Sequence, residues 1–374
     1  ICPILYTEYH LLVSKYYSIK RRLLFLQKSA SLRLRRFFSP KEVKPVKLVA
    51  IAKDESAYLL EWIFHHLYVG FSQVDIYYNG CSDNTEDLAP LLKKLPVNLI
   101  NADNIFNSAS RTPQVDIYRE AFRKSNSRDF HALMFLDIDE FWVPINFSNK
   151  ISDICSQIGN FDTISFQWKN KLEREILYGP AIDKINEAES AKQLKTLYRS
   201  YLRPERMNPH NVLDDGLNQR YENGKKLETI NEQRSQCVID GEVKNAFILH
   251  RKERSEFEYI ATLLRGRPVN TIATKRTQTL KSNRHGFKSS YNSEKLIFDG
   301  SSFENYRQYM DARLNDPSFK TFVKNAKLQV DVRYKLVLEE IYRAPSSDKA
   351  LLKQLLTNVS LPEVRQAFER RLGD

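Results

Sequence analysis

The stretch His131-Ala132-Leu133-Met134-Phe135-Leu136-Asp137-Ile138-Asp139-Glu140-Phe141-Trp142 decides the fold of this 374-residue chain. Its apolar run, bounded by polar residues, is typical of a buried strand. In sheets of parallel strands, ligands bind in the crevice beyond the carboxyl ends of the strands. Alternation along an extended chain would point Asp137 and Asp139 the same way. The pair therefore predicts a site for a divalent cation, which carboxylate oxygens bind while phosphate oxygens fill its other positions.

An isolated Asp-x-Asp more often marks the solvated end of a strand, so the order of elements upstream matters. Strand and helix patterns alternate there. Strands are predicted at 46–52, 74–78 and 97–100, and helices at 57–68, at roughly 85–94 and after Thr112 and Pro113. This alternation implies right-handed crossovers, an α/β fold class and a mostly parallel, Rossmann-like sheet.

Polar side chains follow three of the predicted strands. Asp54 and Glu55 follow the first, Asn79 and Asp83 the second, and Asp137 with Asp139 the fourth. Since these strand ends meet at one edge of a parallel sheet, the side chains should line one crevice. The first two clusters lack Gly-x-Gly-x-x-Gly, and the chain has no Gly-x-x-x-x-Gly-Lys-Ser/Thr. A dinucleotide oxidoreductase and a P-loop phosphotransferase are therefore disfavoured.

Three short sequence motifs follow one another along the chain. They are Lys53-Asp54-Glu55 with Tyr58-Leu59-Leu60-Glu61-Trp62-Ile63, then Tyr77-Tyr78-Asn79-Gly80-Cys81-Ser82-Asp83-Asn84-Thr85, then Phe135-Leu136-Asp137-Ile138-Asp139-Glu140-Phe141. Together they resemble the nucleotide-sugar-binding half of a GT-A glycosyltransferase, of the family-2-like bacterial group that is related to family 92. Asp54 stands where that family usually has Asn.

The resemblance extends to about residue 270. The segment from Ala246 to Phe257 and the sequence Arg265-Gly266-Arg267-Pro268 are similar to the family's C-terminal His-Tyr-x-x-Lys-Ser and Arg-Gly block. Arg251 replaces the usual aromatic residue of that block, and the Lys-Ser pair is imperfect.

The resemblance implies a GT-A fold and a metal-dependent sugar transfer from a nucleotide-diphosphate donor. Mn²⁺ or Mg²⁺ would neutralise the departing diphosphate. The implied metal ligands are Asp137, Asp139 and His250. The implied contacts to the sugar nucleotide are Asp54, Glu55, Asn79, Asp83, Arg111, Gln114 and Asp137. Asp83 would accept from the imide N–H of the base, or would instead serve as a turn acid that satisfies local backbone N–H groups.

Two assignments stay open in the sequence. His250 ends an apolar run and is the better candidate for a late metal-binding histidine, with His210 as its rival. An inverting transfer needs a carboxylate base, and Glu140, Asp214 and Asp215 are the candidates. A retaining enzyme would need no base in that role, so the stereochemistry is open.

The formal net charge of +12 has a partial source near the N-terminus. Basic residues there are interleaved with Leu and Phe, which predicts an amphipathic helix over residues 15–40. It would lie on an anionic membrane surface or pack on the catalytic domain with a solvated basic face. Its apolar runs are too short to span a bilayer. The four separated cysteines favour a reducing compartment, so we expect a cytoplasmic protein. The basic helix would make it peripheral on the inner face of the plasma membrane. No nucleic-acid recognition motif is present in the sequence, so we expect no nucleic-acid partner.

The expected organisation has three parts. Residues 1–45 form the basic helical extension, 46–275 the GT-A domain and 276–374 a helical C-terminal region, with 46–145 as the nucleotide-sugar half and 146–275 as the acceptor half. Within the acceptor half, Phe161 to Trp168 predicts a strand, whereas Asn186 to Tyr198 predicts a helix.

The expected function is sugar transfer onto a glycan or glycolipid acceptor, in bacterial surface polysaccharide synthesis. The alternative from another class is a non-catalytic GT-A-like scaffold that binds glycan or membrane. A phosphotransferase with the same nucleotide fold is a weaker third hypothesis.

Overall fold

A computed structural model of the chain describes residues 16, 20, 27, 29–38, 43–108, 110–125, 129–172, 176–238, 243–264, 280–281, 283–287 and 292–373. Most of the predicted N-terminal extension lies outside these residues, as does the segment from Arg265 to Pro268. The described part folds around one mixed sheet with helices packed against it.

The secondary structure alternates strands and helices in its first half and ends in helices. The strands are β1 Val46–Ala52, β2 Gln73–Tyr78, β3 Val97–Asn101, β4 Ala132–Phe135, β5 Glu140–Pro144, β6 Thr163–Lys171, β7 Ile185–Arg199, β8 Gln219–Tyr221, β9 Ala246–His250 and β10 Glu294–Ile297. The helices are α1 over residues 29–38, α2 Ser56–Tyr68, α3 Ala89–Leu92, α4 Asp103–Phe106, α5 Pro113–Lys124, α6 Ile151–Ile158, α7 Glu256–Thr262, α8 Gly300–Leu314, α9 Pro317–Arg343, α10 Lys349–Leu355 and α11 Pro362–Gly373.

The predicted parallel core is confirmed. β1 pairs in parallel with β2 on one side and with β4 on the other, and β2 pairs in parallel with β3. All seven residues of β1 are buried. The loops after β1, β2 and β4 therefore meet at one edge of the sheet, where the sequence predicted a crevice. Beyond β4 the sheet continues as β7, β6, β9 and β5 in mixed directions.

The predicted helix from Asn186 to Tyr198 is wrong, because this segment is the 15-residue strand β7. Its Ala, Glu, Gln, Lys and Leu residues favour a helix by intrinsic propensity, but such preferences amount to only a few tenths of a kcal/mol per residue. The second half of β7 is buried between β4 and β6 and pairs with both strands. Tertiary pairing and burial outweigh the local preference here.

The strand expected to carry the two aspartates ends earlier than predicted. β4 stops at Phe135, a turn follows, and β5 starts at Glu140. Asp137 and Asp139 therefore lie in the turn between two strands, so alternation along an extended chain does not set their directions. β5 leaves the parallel half altogether and pairs with β9.

The C-terminal region is helical as predicted, with the addition of β10, which pairs with β7. The long helix α9 packs against α2, α7 and α11, and its Phe322 and Ala326 join the main core. In the part of the chain that the structure describes, no helix is long and apolar enough to cross a membrane.

Two adjacent histidines of α2 are buried and link the helix to β5. His65 Nε2 donates to the Trp142 carbonyl at 2.9 Å, and its Nδ1 lies 3.1 Å from the Tyr306 hydroxyl. The Trp142 backbone N–H donates to His66 Nε2 at 3.2 Å. Burial lowers the pKa of His65 to about 4, so the imidazole is neutral in the folded protein at pH 7.

We predict that His65 makes folding stability depend on pH below about 6.5. The unfolded chain binds the proton near pH 6.5, whereas the folded chain resists it until about pH 4. The contribution of His65 to the free energy of unfolding should be constant above pH 6.5. It should decrease by about 3 kcal/mol as the pH falls from 6.5 to 4. Urea unfolding of wild type and His65→Gln between pH 4 and 8 tests this. His65→Gln should be less stable but less pH-dependent, whereas the exposed His285→Gln should follow wild type. An unchanged pH slope in His65→Gln would refute the assignment.

Candidate metal and nucleotide site

Asp139 and His250 face each other across the crevice. His250 is the last residue of β9, and its Nε2 lies 3.8 Å from Asp139 Oδ2. A backbone hydrogen bond also joins the two segments, because the Arg251 N–H donates to the Asp139 carbonyl at 2.7 Å. His250 Nδ1 lies 3.0 Å from Asn170 Oδ1 on β6. Three segments from different parts of the chain thus place one carboxylate opposite one imidazole.

The protonation of this pair suits a cation. Burial lowers the pKa of His250 to about 4, so its imidazole is neutral. Burial alone would raise the pKa of Asp139, but positively charged neighbours, the guanidinium groups of Arg254 and Arg284 among them, outweigh it and lower that pKa. An amide oxygen only accepts hydrogen bonds, so the proton of His250 sits on Nδ1 beside Asn170. The lone pair of Nε2 therefore points towards an ionised carboxylate.

Two acceptor atoms facing each other at 3.8 Å fit a bound cation. Metal–ligand bonds of about 2.1 Å allow one ion to touch both atoms. The hydrogen bond from His250 to Asn170 is also the kind of outer contact that orients metal-bound histidines. Asp139 and His250 could thus hold Mn²⁺ or Mg²⁺ together with phosphate oxygens and water.

Asp137, the third predicted ligand, has a different partner. Its Oδ2 lies 3.0 Å from the ammonium group of Lys195, which is also 3.0 Å from Glu140 Oε2. Burial disfavours the charge of Lys195, but Asp137 and Glu140 outweigh it and raise the pKa of Lys195 well above its ordinary value. Glu140 is fully buried and also accepts from the Asp137 N–H at 2.9 Å. Lys195 therefore engages one oxygen of each carboxylate, including that of the candidate base Glu140.

The ends of β1 and β2 bring Asp54, Cys81 and Asp83 together. Among the described residues this is the one group of three candidate ligands whose atoms all lie within 4.8 Å of one another. Its carboxylates already have partners: Asp54 accepts from the Ser82 N–H and hydroxyl, while Asp83 accepts from the Ser56 and Thr85 N–H groups. These contacts agree with the interpretation of Asp83 as a turn acid.

Asn79 and Glu55 lie in the same crevice. Asn79 is buried, and its Oδ1 has no hydrogen-bond partner among the described residues. Glu55 Oε2 lies 3.3 Å from the guanidinium of Arg254, which stacks 3.5 Å from the ring centre of Tyr58. Because Arg254 also lowers the pKa of Asp139, one buried cation connects the β1 loop to the Asp139 turn.

The C-terminal helix α9 contributes a further cation. Arg333 donates to the Asp54 carbonyl at 3.2 Å and lies 3.9 Å from Asp83 Oδ2. Asp54 has a positive φ of 53°, which is uncommon for a residue other than glycine. Arg333 therefore supports the strained loop that follows β1.

The remaining predicted residues lie apart from the Asp139–His250 pair or have structural contacts. Arg111 is exposed, and Gln114 donates to the Tyr118 hydroxyl at 2.9 Å. Asp214 accepts from the Glu205 and Arg206 N–H groups, and Asp215 pairs with Arg234 at 2.7 Å. Both aspartates line a separate cleft of about 390 Å³, between α1 and the segment around Arg203.

The rival histidine, His210, is a neighbour of the same tryptophan as His250. Trp168 on β6 lies with its ring centre 4.1 Å from that of His250 and 5.5 Å from that of His210. His210 Nδ1 bonds the Leu194 carbonyl at 2.9 Å, and burial lowers its pKa to about 4. His250 faces a carboxylate, so it is the better candidate ligand of the two.

Sequence reasoning missed Lys195, Asn170 and Arg333. Lys195 sits in the segment wrongly predicted to be a helix, where a lysine is ordinarily a solvated residue. Asn170 follows the end of the predicted strand, and Arg333 lies in the C-terminal region, where the sequence predicts only helices. The sequence Lys195-Thr196-Leu197-Tyr198 does not alternate polar and apolar residues, so it gives no strand signal that could identify a buried ammonium group.

No protein-family model matches this chain, and no curated protein sequence matches it. The GT-A family assignment therefore stays a prediction that rests on the quoted residues and on the geometry of the crevice.

We predict that Lys195→Met destabilises the protein strongly, because it leaves the buried Glu140 without a counter-charge. Breaking a buried ion pair by removing one partner typically costs about 3–5 kcal/mol. The double variant Lys195→Met/Glu140→Gln should recover much of this loss, since the amide carries no charge. Urea unfolding of the wild type, both single variants and the double variant measures the coupling. Additive losses would contradict the proposed bridge.

Proposed function

We propose that this chain is a metal-dependent GT-A-type glycosyltransferase. It would use Mn²⁺ or Mg²⁺ and move a sugar from a nucleotide-diphosphate donor onto a glycan or glycolipid acceptor, in bacterial surface polysaccharide synthesis. The observation that carries the proposal is the Asp139–His250 pair, whose acceptor atoms face each other at 3.8 Å beyond the carboxyl end of β4. The sequence motifs that resemble those of GT-A enzymes indicate that the ligand is a sugar nucleotide.

The surroundings of the pair suit a diphosphate. The bound cation supplies positive charge to the leaving diphosphate. Arg254 and Arg284 lie close enough to Asp139 to lower its pKa, and they would add positive charge for the phosphate oxygens. The buried Asn79 Oδ1 would accept from an N–H or O–H group of the nucleotide. Glu55, held by Arg254, would position that cation.

A second function is favoured by one specific observation. The ammonium of Lys195 pairs with Oδ2 of the Asp137 carboxylate, a group that GT-A enzymes are expected to offer to the metal. A non-catalytic scaffold that keeps the fold and binds glycan or membrane would be compatible with this ion pair. Metal-dependent binding of a nucleoside diphosphate separates the two functions, because the scaffold does not require it.

We predict that Asp139→Asn and His250→Ala weaken nucleoside-diphosphate binding in the presence of Mn²⁺. Loss of a ligand or its support typically costs about 10–100-fold in affinity. Calorimetric titration of several nucleoside diphosphates, with Mn²⁺ and with a chelator, identifies the ligand and its metal dependence. Thermal melts of the same proteins report any loss of fold.

The control is Asp311→Asn on α8, an exposed aspartate that pairs only weakly with Arg307 at 3.8 Å. It should bind the nucleotide as wild type does. Equal affinities for wild type, Asp139→Asn and His250→Ala would refute the metal assignment. Wild-type binding that is unchanged by the chelator would instead favour the scaffold. The third hypothesis, a phosphotransferase, is tested by the product of turnover: release of pyrophosphate, rather than of a nucleoside diphosphate, would identify nucleotidyl transfer.

A further inference from the structure

Helix α1 has one face that is fixed to the rest of the protein. Leu32 packs against the core formed by α5, β4 and the segment after β7. Arg36 makes two hydrogen bonds to the carboxylate of Asp162, one of them from Nε at 3.1 Å. Arg35 donates to the Tyr201 carbonyl at 3.3 Å. The inner face of α1 is therefore held by an apolar contact and by a paired guanidinium.

Asp162 gives this attachment its strength. Its side chain is completely buried, and it also accepts from the Tyr201 hydroxyl at 2.5 Å and from the Asn218 N–H at 2.7 Å. A buried carboxylate needs such partners to stay charged. Asp162 directly precedes β6, the strand that carries Asn170. The position of α1 is thus tied to the strand that supports His250.

The opposite face of α1 is apolar and exposed. Leu34, Phe37 and Phe38 are 59%, 81% and 78% exposed. At about 100° per residue, these three side chains lie on the side of the helix opposite Leu32 and Arg36. Arg33 and Arg35 lie at the two borders between the faces. An outward apolar face bordered by cations is the arrangement of a helix that lies in the plane of a membrane surface.

The charge of the surrounding sequence specifies the partner. From Tyr9 to Pro40 the chain has no acidic residue and eight basic ones, which are Lys15, Lys20, Arg21, Arg22, Lys28, Arg33, Arg35 and Arg36. An anionic bilayer offers negative charge to the basic residues and apolar depth to the aromatic rings, so it complements both features. A neutral bilayer would complement only the rings.

We propose that α1 binds the surface of an anionic lipid bilayer through Leu34, Phe37 and Phe38, with Arg33 and Arg35 at the headgroups. Arg36 and Leu32 stay on the protein side. The helix therefore holds the crevice at a fixed orientation to the membrane, because the Arg36–Asp162 contact is continuous with β6. This inference does not depend on the reaction that the crevice performs.

Vesicle co-sedimentation of the full chain tests the proposal. Vesicles of phosphatidylglycerol and phosphatidylcholine are compared with vesicles of phosphatidylcholine alone. Wild type should bind the anionic vesicles more tightly, and added salt should weaken the binding, since exposed charges are screened within about 10 Å at 0.1 M. Phe37→Ser/Phe38→Ser should reduce the partition coefficient at least about tenfold. Arg33→Glu should reduce binding to the anionic vesicles only.

The matched control is Leu328→Ser/Val332→Ser, which removes two exposed apolar side chains from α9. It should bind as wild type does. Thermal melts of all variants establish that the fold is retained. The proposal is overturned if wild type does not bind anionic vesicles, if phosphatidylcholine binds equally well, if Phe37→Ser/Phe38→Ser binds like wild type, or if the α9 control loses binding to the same extent.

Discussion

The ammonium group of Lys195 joins the two halves of the sheet. It is buried on β7 and bridges Asp137, at the end of the parallel half, to Glu140, at the start of β5 in the mixed half. Asp139 lies between these two held residues, and its own carbonyl accepts from the Arg251 N–H, so the turn is held at both flanks and in its middle. The Lys195 bridge, the pairing of β5 with β9 and the hydrogen bond from Arg251 together place Asp139 opposite His250.

Two arginines also connect the other loops of the crevice. Arg254 links Glu55 to the region of Asp139, and Arg333 of α9 contacts the Asp54 carbonyl and lies close to Asp83. Each cation faces acidic or carbonyl oxygens that come from a different strand end. The C-terminal helix α9 therefore forms part of the crevice wall. A phosphate entering the crevice would meet cations that are already positioned.

The sequence predicted the parallel core because continuous apolar strands and amphipathic helices alternate there, and local pattern and tertiary burial agree. It failed at β7, where helix-forming residues are buried by neighbouring strands. That error concealed Lys195, whose role follows only from pairing with β4 and β6. Asp137 and Asp139 were correctly placed after a strand, but their directions come from a turn that alternation cannot describe. His250 and His210 are distant in sequence, and only the fold shows that one of them faces a carboxylate.

We propose that a divalent cation binds between Asp139 and His250. The most direct measurement is the anomalous diffraction of crystals grown with Mn²⁺ and a nucleoside diphosphate. We predict one strong anomalous peak within about 2.1–2.3 Å of Asp139 Oδ2 and His250 Nε2, beside the diphosphate. A peak at the group of Asp54, Cys81 and Asp83, or a bound diphosphate with no peak near His250, would contradict it.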